Sequence, residues 1–344
     1  MRSIRVLAIA LLATFLLGSA CVTRVPVNEL LKPADADVPT SVLIDRINSY
    51  GEVRTFSAEA GIHFVNYFTG LRTKADKYPE TTGLIRFMRP ENTRMQVKFY
   101  SKRLADMVSD GQRFRLAIYW PDDKRRFIFG SNLKDLDRMD VQELEKMNDQ
   151  RLKEAGGLVN MRPQHITDTF LIKPIADADR SSVFREEVRQ VDPRDFRPGS
   201  KTTSERLYYV LYVVERDEKG QAKLRRKFWF DRTQAGTPLV RQQTFENGEG
   251  RLASDVWYSN WFFVEGTKQN WPGTVTIDRR ADGYRLELTL VRDTVHINSD
   301  DLTGTFELPN SEGLPELDLD SPRSPEPLRK KPAVTQFNNN SPRK

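Results

Sequence analysis

The 344-residue chain has one cysteine, Cys21, and three histidines, His63, His165 and His296. A single thiol can form neither an intrachain disulfide nor a Cys-based metal site. The histidines are far apart and lack ligand spacing, so each is expected in a core or surface role, with no metal and no cofactor. Asp122-Asp123 and Asp300-Asp301 lie in turn-like stretches and read as turn residues, not as a general acid and base. No G-x-S-x-G elbow, P-loop or H-E-x-x-H occurs. Asn247-Gly248-Glu249-Gly250 precedes no helix, which makes it a hairpin turn and not a dinucleotide loop. No catalytic residue is predicted. The chemistry left for the chain is the burial of apolar surface, that is, binding.

Cys21 gains meaning from its position. Residues 1–20 have a basic start (Arg2, Arg5), an apolar run from Val6 to Leu17 and small residues at Gly18, Ser19 and Ala20. A bilayer span needs about 20 apolar residues, so this shorter run reads as a secretory signal peptide. Leu17-Gly18-Ser19-Ala20-Cys21 resembles a bacterial lipobox, which implies lipidation of Cys21 as the mature first residue; ordinary cleavage after Ala20 would instead leave a free thiol. Residues 21–39 then form the lipidated cysteine and a proline-containing tether, whose reach at full extension is roughly 60 Å.

The elements that would position a binding surface begin with a strand meander from Thr82 to Gly130. Apolar and polar residues alternate along it, and successive strand side chains point to opposite faces. Turn residues separate the runs, among them Asp110-Gly111. The preceding strand, Arg54 to Phe68, follows the same rule. The apolar parity assigns Phe56, Ile62, Phe64, Ile85, Phe87, Val97, Phe99, Leu116, Ile118, Phe127 and Phe129 to one inward, concave face. Arg86, Arg94, Gln96, Lys98, Arg113, Arg115, Arg125 and Arg126 mark the outer, wet face.

A helix over 40–50 comes before this sheet, with Thr40 as N-cap, a stripe of Leu43, Ile44, Ile47 and Tyr50, and Gly51 as its stop. Two more helices interrupt the strands. One runs over 139–155, with Leu144, Met147 and Leu152 in its stripe. The other runs over 163–172, with Pro163 in its first turn and Ile166 and Phe170 inward. Both are expected to act as lids. Strands then resume as Ser182–Gln190, Arg206–Arg216, Ala222–Arg232, Leu239–Glu246, Leu252–Trp261, Thr274–Arg280 and Tyr284–Asn298. Their aromatics (Trp229, Trp257, Trp261, Tyr208, Tyr209, Tyr212) suit either a core or a ligand wall. Residues 311–344 are rich in proline and charge and are expected to be a disordered tail.

The layout resembles the LolA/LolB-like family of bacterial envelope lipoproteins over residues 40–310. The phrases that carry the resemblance are Gly83-Leu84-Ile85-Arg86-Phe87 with Arg89-Pro90 and Arg94, Ser109-Asp110-Gly111, Lys227-Phe228-Trp229-Phe230-Asp231 followed by Pro238, and Trp271-Pro272-Gly273. The resemblance implies a mostly antiparallel α+β fold: an open, incomplete β-barrel of about eleven or more strands with helices in its concave mouth. All four are turn or packing phrases, so they speak to fold and not to cargo.

Charge bounds the partners. The 54 Lys and Arg and 48 Asp and Glu leave a net +6, interspersed without a stripe suited to nucleic acid. The expected protein is a monomer held by its lipid at the periplasmic side of the bacterial outer membrane. Two functions stay open. One is binding of acyl chains of lipid or lipoprotein on the concave face. The other is an envelope scaffold or sensor that binds proteins, its cavity filled by its own helices. An enzyme is a distant third.

Overall fold

A computed structural model describes residues 29–67, 76–77, 80–132, 161–175, 181–191, 204–246, 250–265, 270–298, 302 and 304–320. The first half carries β1 (Glu29–Leu30), α1 (Thr40–Ser49), β2 (Thr55–Asn66), β3 (Asp76–Lys77), β4 (Thr81–Met88), β5 (Asn92–Phe99), β6 (Lys102–Ser109), β7 (Arg113–Ile118) and β8 (Arg126–Ser131). Next come α2 (Pro163–Phe170), β9 (Ser181–Val191), β10 (Ser204–Arg216), β11 (Ala222–Asp231), β12 (Leu239–Phe245) and β13 (Leu252–Ser259). The chain closes with β14 (Phe262–Phe263), β15 (Asn270–Trp271), β16 (Thr274–Arg279), β17 (Tyr284–Leu290), β18 (His296–Ile297) and β19 (Glu316–Asp318).

One sheet takes nearly all the strands, in the lateral order β9-β10-β11-β12-β13-β16-β17-β2-β4-β5-β6-β7-β8-β19. Neighbours are antiparallel except at β8–β19 and at the short β1–β10 ladder. Among the described residues no ladder joins β9 to β19, so the sheet is an open, incomplete barrel. β2 is its seam: the N-terminal meander leaves from one side of it, and the C-terminal meander returns as β17 on the other.

The alternation in β2 follows its burial. Phe56, Ala58, Ala60 and Ile62 are buried in the main core, and Ile62 lies opposite Leu288 while Phe56 lies opposite Phe87. Gly83 has a steric reason to be glycine, since a Cβ there would collide with the Gln96 carbonyl oxygen and with Ile62 Cδ1. On α1 the residues Leu43 and Ile47 are buried, as the stripe requires. The cap differs from expectation. Pro39 holds the N-cap position, and the helix runs on into a 3-10 turn, Tyr50–Glu52, instead of stopping at Gly51.

The convex face holds the main departures from the sequence reading. Phe127 and Phe129 were expected inward, but Phe127 is buried in a second cluster with Val108, Ala117, Leu308 and Leu314, and Phe129 packs against that cluster. The inward residue of β8 is Ile128, set by its pairing with Leu116. The cover over this face comes from a stretch expected to be disordered. Leu314 packs there, and the chain then adds β19 to the sheet edge beside β8, with Leu317 and Leu319 joining the main core; the Phe127 N–H donates to the Pro315 carbonyl at 2.8 Å and the Leu319 N–H to the Phe129 carbonyl at 2.9 Å. The domain thus extends to at least residue 320, and residues 321–344 lie outside the described residues.

Phe99 also departs from its assignment. A register shift between Val97 and Lys98 ends the alternation, and Phe99 stands 42% exposed against Tyr100. The tether is shorter than expected, because β1 pairs with β10 and Ala34 N–H donates to the Arg232 carbonyl at 2.8 Å. The long closing strand is broken. β17 ends at Leu290, and Thr294 Oγ1 bridges a turn, donating to the Val291 carbonyl at 2.7 Å and accepting from the Glu59 N–H at 2.9 Å, before β18 resumes.

A candidate apolar binding site

The concave face has two halves that differ in what covers them. Around Phe56 it is filled. The Phe56 ring meets those of Phe87, Phe170 and Trp271 at centroid distances of 5.8, 5.3 and 5.2 Å, and Trp271 meets Tyr50 edge-on at 5.8 Å. Contacts of this kind each contribute about 0.5–1.5 kcal/mol beyond area burial. α1 and α2 supply Leu43, Ile47, Ile166 and Phe170 to the same core.

α2 is fixed along its whole length, and this corrects its expected role as a lid. His165 Nδ1 lies 3.0 Å from Tyr284 Oη, Thr167 bonds Thr93 hydroxyl to hydroxyl, and the Thr169 carbonyl accepts from Tyr258 O–H at 2.9 Å. Burial pushes the Tyr258 phenol well up, which keeps it protonated as a donor. Beyond the helix, Arg89 clamps three carbonyls, those of Val53 at 2.7 Å, Tyr50 at 3.1 Å and Ile172 at 3.0 Å. The Arg89-Pro90 phrase of the sequence therefore ties the end of α1 to the exit of α2. With Ile166 at 0% and Phe170 at 2% exposure, this helix is core.

Towards the other end of the sheet the concave face opens into an apolar pocket of about 160 Å³. Its walls are Ile62 and Phe64 of β2, Met95 and Val97 of β5, Leu116 and Ile118 of β7, and Leu286 of β17. Leu104, Ala105 and Met107 of β6 complete the wall, Met161 closes it from just before α2, and Trp120 and Pro121 stand at the rim. Thr81 is the one hydroxyl in the lining, and it donates to the Ile62 carbonyl at 3.2 Å. No ionisable side chain lines the pocket. Apolar cavities of about 150 Å³ stay dry and accept small apolar guests. At the rim Trp120 is 46% exposed, and the Lys102 ammonium sits 5.4 Å from its ring centroid.

The structure brings five of the predicted concave residues into this pocket, namely Ile62, Phe64, Val97, Leu116 and Ile118. Phe56, Ile85 and Phe87 share the inward face but lie in the core. Phe99, Phe127 and Phe129 are outside the pocket for the reasons given above. Leu144, Met147 and Leu152, with the helix expected over 139–155, lie outside the described residues, as does Cys21. Of the wall residues not assigned from sequence, Met95 has the same parity as Val97 and was readable. Met107 is not readable in the same way, because its strand buries both parities: Met107 faces the core, while Asp106 and Val108 are buried on the convex side.

Asp106 shows how that convex burial is tolerated. It is 0% exposed and accepts from Arg94 Nε at 3.1 Å, Arg94 Nη2 at 2.7 Å and Gln96 Nε2 at 3.0 Å. Arg94 also donates to the Thr305 carbonyl at 2.8 Å. Arg94, assigned to the wet face, thus anchors the C-terminal segment. The candidate aromatics of the C-terminal strands divide between faces. Tyr209 lies in the main core, while Tyr208, Tyr212 and Trp229 belong to a small convex cluster. The histidines are dispersed: His63 lines a polar groove with Glu80 and Glu287, His165 is on α2, and His296 is exposed on β18.

No family profile matches the sequence, and no curated protein matches it. Solved structures are similar to it at low identity. A DUF1329 family protein from Desulfovibrio piger has 9% identity and a TM-score of 0.41, covering 77% of this chain and 95% of its own. A domain described as an outer membrane lipoprotein-sorting protein, from Vibrio parahaemolyticus, has 7% identity and a TM-score of 0.39, with the same two coverages of 77% and 95%. The Mycobacterium tuberculosis lipoprotein LppX has 8% identity and a TM-score of 0.23, covering 76% of this chain and 98% of its own. The open, mostly antiparallel sheet with helices packed in its mouth is the fold implied by the resemblance to the LolA/LolB-like family; of the two helices expected between the meanders, the described residues hold one, Pro163–Phe170.

Proposed function

We propose that the protein is a lipid-anchored envelope protein that takes an acyl chain of a lipid or lipoprotein into the apolar pocket of its concave face. The observation that carries this reading is the pocket between Phe64, Val97, Ile118 and Trp120, open at its rim and free of ionisable side chains in its lining. An acyl chain needs no buried partner, and each methylene taken from water contributes about 0.8 kcal/mol. The enclosed volume suits the end segment of a chain, with the remainder passing out over Trp120. Lipidation at Cys21 would place the protein on the membrane, facing the periplasm of the outer membrane, and its role would be binding and not catalysis.

A fluorescent fatty-acyl probe tests the reading. Saturable binding is expected, weakened by Phe64→Arg or Val97→Arg, both partly buried positions where a folded variant is attainable. A second reading, that of a protein-binding scaffold, draws on the filled half around Phe56. Absence of saturable binding to folded wild-type protein would favour it.

A further inference from the structure

Two cations stand at the mouth of the acyl pocket. The sequence places Arg126 on the outer face and Phe127 inward, and the structure exchanges them. Phe127 packs on the convex side, while Ile128, two positions beyond Arg126, is inward. Successive strand residues alternate between faces, so Arg126 is on the concave parity. It opens β8 directly opposite Ile118, a wall residue of the pocket. Residues opposite one another in an antiparallel pair have Cβ atoms about 4.5–5.5 Å apart on one face. Arg126 therefore extends the cross-strand row Val97–Ala105–Ile118, all of which line the pocket.

Lys102 reaches the same mouth from the other side of β7. Its ammonium sits 5.4 Å from the ring centroid of Trp120, which stands at the pocket rim. β7 lies between β6, which carries Lys102, and β8, which carries Arg126. Neighbouring strands are about 4.8 Å apart, so the two outer strands are about 10 Å apart, within reach of two long side chains for one shared group. The cations next to them in sequence are already engaged. Arg103 and Arg125 both pair with Glu312, on the segment that covers the convex cluster. Among the described residues no carboxylate pairs with Lys102 or Arg126, and Asp122, exposed in the turn beyond Pro121, pairs with neither. Their charge thus borders a cavity whose lining holds no ionisable side chain.

We propose that the pocket selects acyl chains that end in an oxyanion, a carboxylate or a phosphate, with Lys102 and Arg126 holding the head while the chain enters past Ile118. The assignment rests on the acyl-binding reading above and narrows it to anionic amphiphiles. A guanidinium matches the geometry of either oxyanion, and an ammonium adds a mobile point charge. A neutral ester or amide head offers them no charge. Arg126 is half-buried and Lys102 exposed, so each is expected to contribute roughly two- to fivefold in affinity, the range of exposed ion pairs.

Titration calorimetry of the protein with sodium laurate, lauroyl lysophosphatidylglycerol and monolaurin, each kept below micelle formation, tests this. At low ionic strength the better of the two anions is expected to bind roughly five- to tenfold more tightly than neutral monolaurin. The preference should shrink towards one at about 1 M salt, where screening acts within about 3 Å. Tighter binding of laurate names a free fatty acid as the source of the oxyanion, and tighter binding of the lysophospholipid names a membrane phospholipid. In the double variant Lys102→Gln with Arg126→Gln, the ratio of anion to monolaurin affinity should fall to near one. Arg113→Gln, which removes an exposed charge at the far end of β7, should keep the ratio. A merely structural role for the pair would weaken all ligands together and leave the ratio as it was. The proposal is overturned if wild-type protein binds monolaurin as tightly as both anions, or if the double variant keeps the wild-type ratio. Failure of all three ligands to bind would overturn the acyl-binding reading itself, and this assignment with it.

Discussion

Replacement of Leu314 by alanine should destabilise the protein by about 2–5 kcal/mol, the range for large-to-small changes in a packed cluster. Leu314 is 5% exposed and packs in the convex cluster with Phe127 and Val108. Full burial of one leucine contributes about 1.5–3 kcal/mol, and the cavity left under the segment adds to the loss. The loss cannot exceed the free energy that holds residues 311–320 on the sheet, because the segment can detach locally before the barrel unfolds. Urea unfolding gives the global value from the midpoint and slope, and limited proteolysis within 311–320 gives the local one. A double change with Phe127→Ala should show a coupling of about 0.5–3 kcal/mol, as expected for residues in contact. A loss below about 0.5 kcal/mol, the size of an ordinary surface substitution, together with unchanged protease cleavage, would refute the docking of this segment.

Arg89→Ala should cost about 3 kcal/mol by urea unfolding, since three carbonyls lose a charged donor, and Arg89→Lys should recover little because one ammonium cannot span them; full recovery by lysine would contradict the clamp. Gly83→Val should destabilise by about 1–3 kcal/mol or more through overpacking against Gln96 and Ile62, and a neutral result would show that β4 and β5 can part at no cost. Asp37 is held below the ordinary carboxylate range, first by the hydrogen bond from Tyr209 at 2.5 Å and then by Arg185. Its folded value is the depressed one, so its support is present above the ordinary carboxylate value and is lost as pH falls through the folded value. The Val38 N–H donates to Tyr209 Oη at 3.4 Å, so the protection of this amide relative to its intrinsic exchange rate should fall on acidification in the wild type and be low and unchanged over that window in Asp37→Asn. Equal exchange in the two proteins would exclude the contact.

Much of the sheet is legible in the chain because β4 buries one face cleanly and β2 carries its apolar series on one parity. In β2 the series Phe56, Ala58, Ala60 and Ile62 admits a single parity. β8 does not, because Phe127, Ile128 and Phe129 are apolar on both parities, and periodicity is silent where both faces are greasy. The choice falls to the pairing of Ile128 with Leu116 and to the cover supplied by Leu308 and Leu314. That cover was illegible for a related reason. Leu314, Leu317 and Leu319 stand among prolines and acids with no period; Leu314 docks on a face that Arg94 and Arg115 mark as polar, while Leu317 and Leu319 join the main core from the sheet edge. Phe99 failed at the bulge after Val97, since one inserted residue changes which face follows. The pocket was half legible: parity found Ile62, Phe64, Val97, Leu116 and Ile118, while Trp120 and Met161 come from connections that no alternation reaches.

The docking of the segment before α1 sets a leash length. β1 fixes the chain to β10 at Glu29, and Asp37 holds Tyr209 and Arg185 further on. If Cys21 carries the lipid, eight residue steps separate it from Glu29, a reach of at most about 29 Å. That is close to half the span available to a free tether ending at α1. A protein on so short a leash would work within a shallow layer above its own membrane, and an acyl-bearing ligand would have to arrive at that layer.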